Sequence, residues 1–213
     1  MIIAIDGPAA AGKGTLAKRL AAKFDFALLD TGALYRAVAL TLIKAGLDPA
    51  DEVAAACVSA DFDLSIISDP QLRAETTGGA ASLVAAMPDV RRNLLQLQRN
   101  YANNPPEGKK GIVLDGRDIG TVVCPKADLK LYVTASAEVR ARRRMEEAVL
   151  RGEKAEYVDI LAEVKERDER DMNRAQAPLK PAADALLLDT TLLDIDAVFL
   201  RAVQIVEATG NTG

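Results

Sequence analysis

The nine residues Gly7-Pro8-Ala9-Ala10-Ala11-Gly12-Lys13-Gly14-Thr15 fit the pattern G-x-x-x-x-G-K followed by Gly-Thr. The spacing suits a loop that holds a chain of phosphates. Glycine at 7 and 12 lets the backbone turn tightly, so that successive N–H groups point inward at phosphate oxygens. A helix opening at this point adds free N–H groups and the positive end of its dipole. Lys13 supplies a point charge able to follow a transferred phosphoryl group, and Thr15 a hydroxyl for a phosphate or for Mg²⁺. So loose a pattern arises by chance, and context decides: an apolar run at 2–5 precedes the loop and a helical pattern follows it. The bland alternative, a Gly/Ala-rich turn capping a structural helix, leaves Lys13 unexplained. Gly14 stands where many such loops carry Ser or Thr, so Mg²⁺ is expected to be held mostly through waters and phosphates.

Three further groups of charged residues could serve the same chemistry. Leu114-Asp115-Gly116-Arg117-Asp118 follows another apolar run, which puts Asp115 at a strand's carboxyl end, where a metal-facing carboxylate belongs. Asp-Gly alone also marks ordinary turns, but Arg117 and Asp118 would project into the same cleft as the loop. Arg167, Asp171 and Arg174 stand at i, i+4 and i+7 of a helical pattern and so share a face. A solvated helix with ion pairs is the plain account of such a run. Arg140, Arg142, Arg143 and Arg144 precede a charged stretch broken at Gly152. Two arginine clusters flanking a mobile hairpin suit an enzyme that neutralises several phosphates and excludes water on closing. The DxxG and NKxD segments of switch GTPases do not stand at suitable places.

To position these residues the chain needs a sheet with helices on both faces. Short apolar runs at 2–5, 27–29, 112–114, 129–133 and 186–188 predict buried parallel strands. Helical patterns cover 13–23, 31–46, 90–102, 137–150, 157–174 and 195–207, the last capped by Asp194. The alternation predicts an α/β fold with a five-stranded parallel sheet. Residues 35–106 show helix signals but no core strand, with an irregular piece at 62–79, and are expected to form a substrate-side subdomain. Residues 145–168 are expected to form a helical lid, leaving 1–34, 107–144 and 169–213 as the core, with a frayed end at 208–213.

Composition narrows the chemistry further. The chain of 213 residues contains no histidine, which excludes mechanisms built on that side chain as base or ligand. The net charge of −4 argues against a duplex nucleic-acid binder but not against a small anion held by local arginines. Cys57 and Cys124 are far apart and are expected to be buried free thiols of a reducing compartment. The first apolar run is too short for a signal peptide and no stretch approaches the ~20 residues of a membrane span, so a cytoplasmic protein without membrane partners is expected.

The segments GPAAAGKGTLAKRLA, LLDTGALYRAVAL, ASLVAAMPDVRR, LDGRDIGTVVCPKADLKLYVTAS and KERDERDMNRAQAPLKPAADALLLDTT resemble bacterial cytidylate kinases, in that family's order and spacing over nearly the whole chain. The resemblance implies a P-loop core, a nucleoside-monophosphate (NMP) subdomain and a lid. It implies transfer of a phosphoryl group from ATP, with Mg²⁺, to CMP or dCMP by a protein expected to be monomeric. Gly7 to Thr15 would hold ATP phosphates, with Arg143 and Arg144 on the ATP side and the lid. Thr31, Tyr35 and Arg36 would line the CMP site, Arg36 on its phosphate. Ser82, Arg91 and Asp118 would read cytosine, Arg167 and Asp171 would hold the sugar, and Arg117 and Arg174 the attacking phosphate. Lys13, Asp115, Arg117 and Arg174 would be catalytic, and Thr190 and Thr191 would lie near adenine. The stretch 61–81 is shorter than the small antiparallel sheet of longer members, and Thr31 stands where Ser is common. Two competing readings stay open: a P-loop kinase for UMP, AMP or another metabolite, and a nucleotide-binding module without catalysis.

Overall fold

Each short apolar run becomes a strand. In the computed structural model, which describes residues 1–210, β1 (Ile2–Asp6), β2 (Ala27–Asp30), β3 (Ile112–Gly116), β4 (Leu129–Thr134) and β5 (Leu186–Asp189) form one sheet. The order is β2-β3-β1-β4-β5 and every pairing is parallel. β1, β3 and β4 are buried almost throughout, whereas the edge strand β5 buries only Leu188. The register pairs Asp6 with Gly116 and with Tyr132, and Asp30 with Asp115, so the charged ends of β1, β2 and β3 come together at the carboxyl edge. β1 is central and its two neighbours lie on opposite sides of the chain reversal, the position where open parallel sheets bind ligands.

Alternate residues of β1 serve two cores. Ile3 and Ile5 join Leu16 and Leu20 of α1 (Lys13–Phe24) with Val198, Ala202 and Val206 of α8 (Ile195–Gly210). Ala4 faces the other layer with Ile112, Leu114, Ile119 and Val123. Asp194 caps α8 as expected, its Oδ1 accepting from the N–H of Ala197 at 2.7 Å. Residues 208–210 continue α8 rather than fraying, and 211–213 lie outside the described residues. Cys124 is buried, but Cys57 is exposed, contrary to expectation, because it falls on the outer face of α3 (Glu52–Ala60) while Ala55 faces inward.

The segment between β2 and β3 is helical throughout. α2 (Thr31–Lys44), α3, α4 (Glu75–Val84) and α5 (Pro88–Asn103) close around Leu34, Val38, Leu42, Ala81, Val84 and Leu94. Residues 64–68 and 70–73 are short 3₁₀ turns, and no strand lies between β2 and β3. The irregular piece expected at 62–79 therefore ends earlier, since 75–79 is the start of α4. Thr-Thr-Gly-Gly is a poor helix sequence, and tertiary packing overrides it: Thr77, Gly78, Ala80 and Ala81 are buried. A Cβ at Gly78 would stand 3.1 Å from Nη1 of Arg36, so glycine lets that guanidinium lie against α4.

α6 (Ala137–Leu150) and α7 (Tyr157–Asn173) form an antiparallel hairpin around Ala141, Ile160 and Val164, reversing at Gly152, whose φ is 76°. α7 stops one residue before Arg174, which takes an extended conformation, so the expected helical face of Arg167, Asp171 and Arg174 does not extend to its last member.

Gly7 is the tightest point of the fold. It has φ 146°, and a Cβ there would sit 1.9 Å from the carbonyl oxygen of Val133 in β4. Gly12 also has positive φ, 89°, but open space beside it. Gly12→Ala is thus expected to cost the roughly 1–2 kcal/mol of a left-handed residue, whereas Gly7→Ala should cost at least the ~3 kcal/mol of severe overpacking. Urea unfolding of the two variants checks the order, and equal losses would contradict it.

Candidate active site

The phosphate loop leaves β1 and enters α1. Positive φ at Gly7, Ala10 and Gly12 turns its N–H groups toward one concavity. Lys13 is only 5% exposed; its Nζ donates to the carbonyl of Pro8 at 2.8 Å and lies 3.9 Å from Oδ1 of Asp115. Burial, with help from the Arg117 guanidinium, pulls its ammonium down to about 7. Burial raises the Asp115 carboxyl against the pull of Lys13. Thr15 is exposed in the first turn of α1.

The loop is braced from behind. Arg140 donates from Nε to the carbonyl of Ala135 at 2.9 Å and from Nη1 to that of Ala9 at 3.3 Å, while Nη1 and Nη2 form a two-pronged pair with Asp168 of α7. Sequence reasoning placed Arg140 in a cluster without a role, because nothing local reveals a partner on another helix. Arg143 donates to the hydroxyl of Thr190 at 3.0 Å and its carbonyl at 2.8 Å, and Thr190 donates to the carbonyl of Ala11 at 3.3 Å. Arg143 and Thr190 therefore stand at the loop. Thr191 accepts from the N–H of Ser136 at 3.0 Å and donates to Asp189 at 2.6 Å. Arg144 turns the other way: it pairs with Glu75 of α4 and lies 3.8 Å from Glu163 of α7.

A second group of charges meets across the carboxyl edge. Nε of Arg117 donates to Oδ2 of Asp171 at 3.0 Å. Asp118 pairs with Arg91, and its other oxygen lies 3.6 Å from Nη2 of Arg174. The Arg91 guanidinium sits 5.9 Å from the ring centre of Tyr35, which is buried. Thr31 donates to the main-chain carbonyl of Asp115 at 2.8 Å, and Arg36 to that of Leu72 at 3.3 Å. Ser82 is buried on the inner side of α4.

Several of these groups are under-satisfied. Ser82 Oγ, Asp115 Oδ1, Arg167 Nε, Arg170 Nε and Arg174 Nη2 are buried and make no hydrogen bond. Such atoms are costly unless a partner arrives. Burial and Arg117 bring the Arg167 guanidinium down to about 9. Burial also lowers Arg36 and Arg174, with Arg117 adding to the effect on Arg36 and Arg91 on Arg174. Clustered cations of this kind could be neutralised by a polyanion. Among the described residues no group of three or more His, Cys, Asp or Glu could cage a metal ion. The oxygens that fit one are the Thr15 hydroxyl and Asp115 Oδ1, which makes no hydrogen bond, and they suit an ion that arrives with phosphates.

Sequence reasoning missed Asp6. It is 4% exposed, and its two oxygens accept from the N–H groups of Ile119 and Gly120, each at 2.7 Å. Burial pushes its carboxyl up to about 6 against those bonds. Its signal was present: a carboxylate ending a buried strand, directly before the loop.

A loop for one phosphate chain and an arginine-lined site beyond Lys13 and Asp115 can align two phosphate-bearing molecules for phosphoryl transfer. The family model described as cytidylate kinase matches residues 3–208. A cytidylate kinase of Bradyrhizobium sp. is 56% identical over 208 residues, covering 98% of this chain and 96% of that one. One of Rhodopseudomonas palustris is 55% identical with the same coverage. A shikimate kinase structure from Bacteroides thetaiotaomicron, 13% identical, shares the fold with a TM-score of 0.51 over 97% of this chain and 98% of that one. The chain belongs to the cytidylate kinase family.

Proposed function

We propose that this enzyme transfers the γ-phosphoryl group of ATP to CMP or dCMP, giving ADP and CDP or dCDP. Family membership supports the reaction. The observation that carries the site assignment is the set of buried polar atoms on Ser82, Asp115, Arg167 and Arg174 that make no hydrogen bond. ATP phosphates lie in the loop from Gly7 to Thr15, braced by Arg143. CMP lies beyond them, its phosphate held by Arg36, Arg117 and Arg174 and its sugar by Arg167 and Asp171.

Tyr35, Ser82, Arg91 and Asp118 receive the base, with Thr31 at the edge of the site. Arg91 and Asp118 stand side by side as donor and acceptor. Cytosine offers the complementary pair, an acceptor ring nitrogen beside an amino donor, whereas uracil offers the reverse. The Ser82 hydroxyl takes the second amino hydrogen.

The acceptor needs no general base, since a phosphate monoester has a second pKa of about 6 and arrives as an oxyanion. One of its oxygens attacks the γ-phosphorus as the bond to ADP breaks. Mg²⁺ supplies charge neutralisation on the phosphates, with Asp115 and Thr15 the residues available to its hydration shell. Lys13, Arg117 and Arg174 stabilise the charge that develops during transfer. Residues 145–168, the outer part of the α6–α7 hairpin, form the lid, and Arg144 at its base reaches the acceptor side through Glu75. The enzyme works in the cytoplasm as a monomer, without nucleic-acid partners; no described helix is long and apolar enough to cross a membrane.

Three outcomes test this reading. Lys13→Ala should lower kcat by at least about 10³-fold while CMP binding stays measurable, and unchanged turnover would sink the mechanism. Asp118→Ala should weaken CMP relative to UMP by ~1–3 kcal/mol in kcat/KM; equal efficiency with both acceptors in the unaltered enzyme would refute cytosine reading. With its ammonium held down near 7, Lys13 is largely neutral at pH 8, and phosphates favour its charged form. ATP binding at pH 8 should therefore take up a proton. Calorimetry in buffers of different ionisation enthalpy reads that uptake, which Lys13→Met should abolish.

A further inference from the structure

Asp118 opens a single π-helical turn, Ile119–Val123, whose first N–H groups have no partner within the turn. The residue at such a start commonly turns its own side-chain oxygen back onto them. Asp118 makes no capping bond. Its carboxylate points instead to Arg91 and Arg174. The cap comes from the sheet: Oδ1 of Asp6 takes the N–H of Ile119 and Oδ2 that of Gly120, both at 2.7 Å. A charged acceptor holding two N–H groups fixes both the position and the orientation of the turn. The fit is close, since a Cβ at Gly120 would stand 3.3 Å from Oδ2 of Asp6 and 3.0 Å from Cδ of Lys130.

We propose that Asp6 is a positioning residue for base selection: it caps the turn after Asp118 in place of Asp118's own side chain, and so frees and aims the Asp118 carboxylate at the pyrimidine edge. The inference rests on the reading of Asp118 as the group that accepts from cytosine. Asp6 immediately precedes Gly7 in the chain, but its carboxylate bonds the turn after Asp118 and no residue of the donor loop. A carboxylate serving stability alone would affect every acceptor alike. One that aims Asp118 affects CMP more than UMP.

The test is steady-state kinetics of the full chain with CMP and UMP, together with the KM for ATP and thermal unfolding. Asp6→Asn offers one oxygen and turns an NH₂ toward a backbone N–H. It should lower the CMP:UMP ratio of kcat/KM by about tenfold, the loss of one buried charged hydrogen bond, and leave the KM for ATP within about twofold. Gly120→Ala keeps both carboxylates but crowds Oδ2, and should lower the ratio in the same direction by less. In an Asp118→Ala background, Asp6→Asn should leave the ratio unchanged. An Asp6→Asn enzyme that loses CMP and UMP efficiency equally overturns the proposal. So does a loss of selectivity that is as large without Asp118 as with it. Should Asp6→Asn fail to fold, an unchanged ratio in Gly120→Ala overturns it. If Asp118→Ala alone leaves the ratio unaltered, the reading of Asp118 fails, and this inference falls with it.

Discussion

Buried cations without enough counter-charge govern the carboxyl edge of this sheet. Lys13, Arg36, Arg117, Arg167 and Arg174 share the partial company of Asp115, Asp118 and Asp171, and three of those guanidinium groups are pushed below their ordinary range. Desolvated charge of one sign is unfavourable in a folded protein, so the arrangement must be carried by packing elsewhere. The two apolar layers do this. Ile3, Ile5, Leu131 and Val133 on one face, and Ile112, Leu114 and Ile119 on the other, tie the edge to apolar side chains of the packed helices, among them Leu16 and Leu20 of α1 and Val198 and Ala202 of α8. The carboxylates then decide which cations are spoken for. Arg117 stays charged, despite burial, because Asp171 and Asp115 face it. Arg167 and Arg174 keep unsatisfied nitrogens.

The same tension explains why the segment between β2 and β3 can be all helix. The base and phosphate contacts proposed for it come from α2, α4 and α5, which pack on one another through Leu34, Val38, Ala81 and Leu94. Arg36 reaches its place because Gly78 gives it room, and Ser82 lies one helical turn further along the same face of α4. A small antiparallel sheet is unnecessary for those contacts. Helix-on-helix packing supplies the rigidity, and the 3₁₀ turns at 64–68 and 70–73 bridge what remains.

Much of this was legible in the residues. All five strands stand where short apolar runs lie between polar boundaries; for β1, β3 and β4 the reason is burial on both faces, while β5 is an exposed edge strand that buries only Leu188. The phosphate loop was readable because its glycines meet a local demand, positive φ at 7 and 12. What escaped depended on distant partners. Residues 75–79 read as an irregular piece because Thr-Thr-Gly-Gly has low helix propensity, and tertiary packing that buries Thr77 and Gly78 makes it helical. Arg140 bonds across 131 residues to Ala9, and Asp6 across 113 to Ile119. No spacing rule reports bonds of that range. Cys57 was misplaced because a short helix rich in alanine gives little sign of which face is inward.

The absence of histidine sharpens how such an enzyme must work. With an acceptor that is already an anion, there is no proton to remove, and the chain's task is to bring two polyanions together against their repulsion. Cations that water had already neutralised would give little help. Cations desolvated in advance, at the cost of depressed Lys13 and Arg167, gain most when phosphates arrive. That strategy fails if the cations relax toward solvent or toward the wrong carboxylate. Hence the importance of groups that touch no substrate: Arg140 bonding the loop to Asp168, and Asp6 holding the turn that carries Asp118. They keep an unfavourable charge distribution in place until its partners bind.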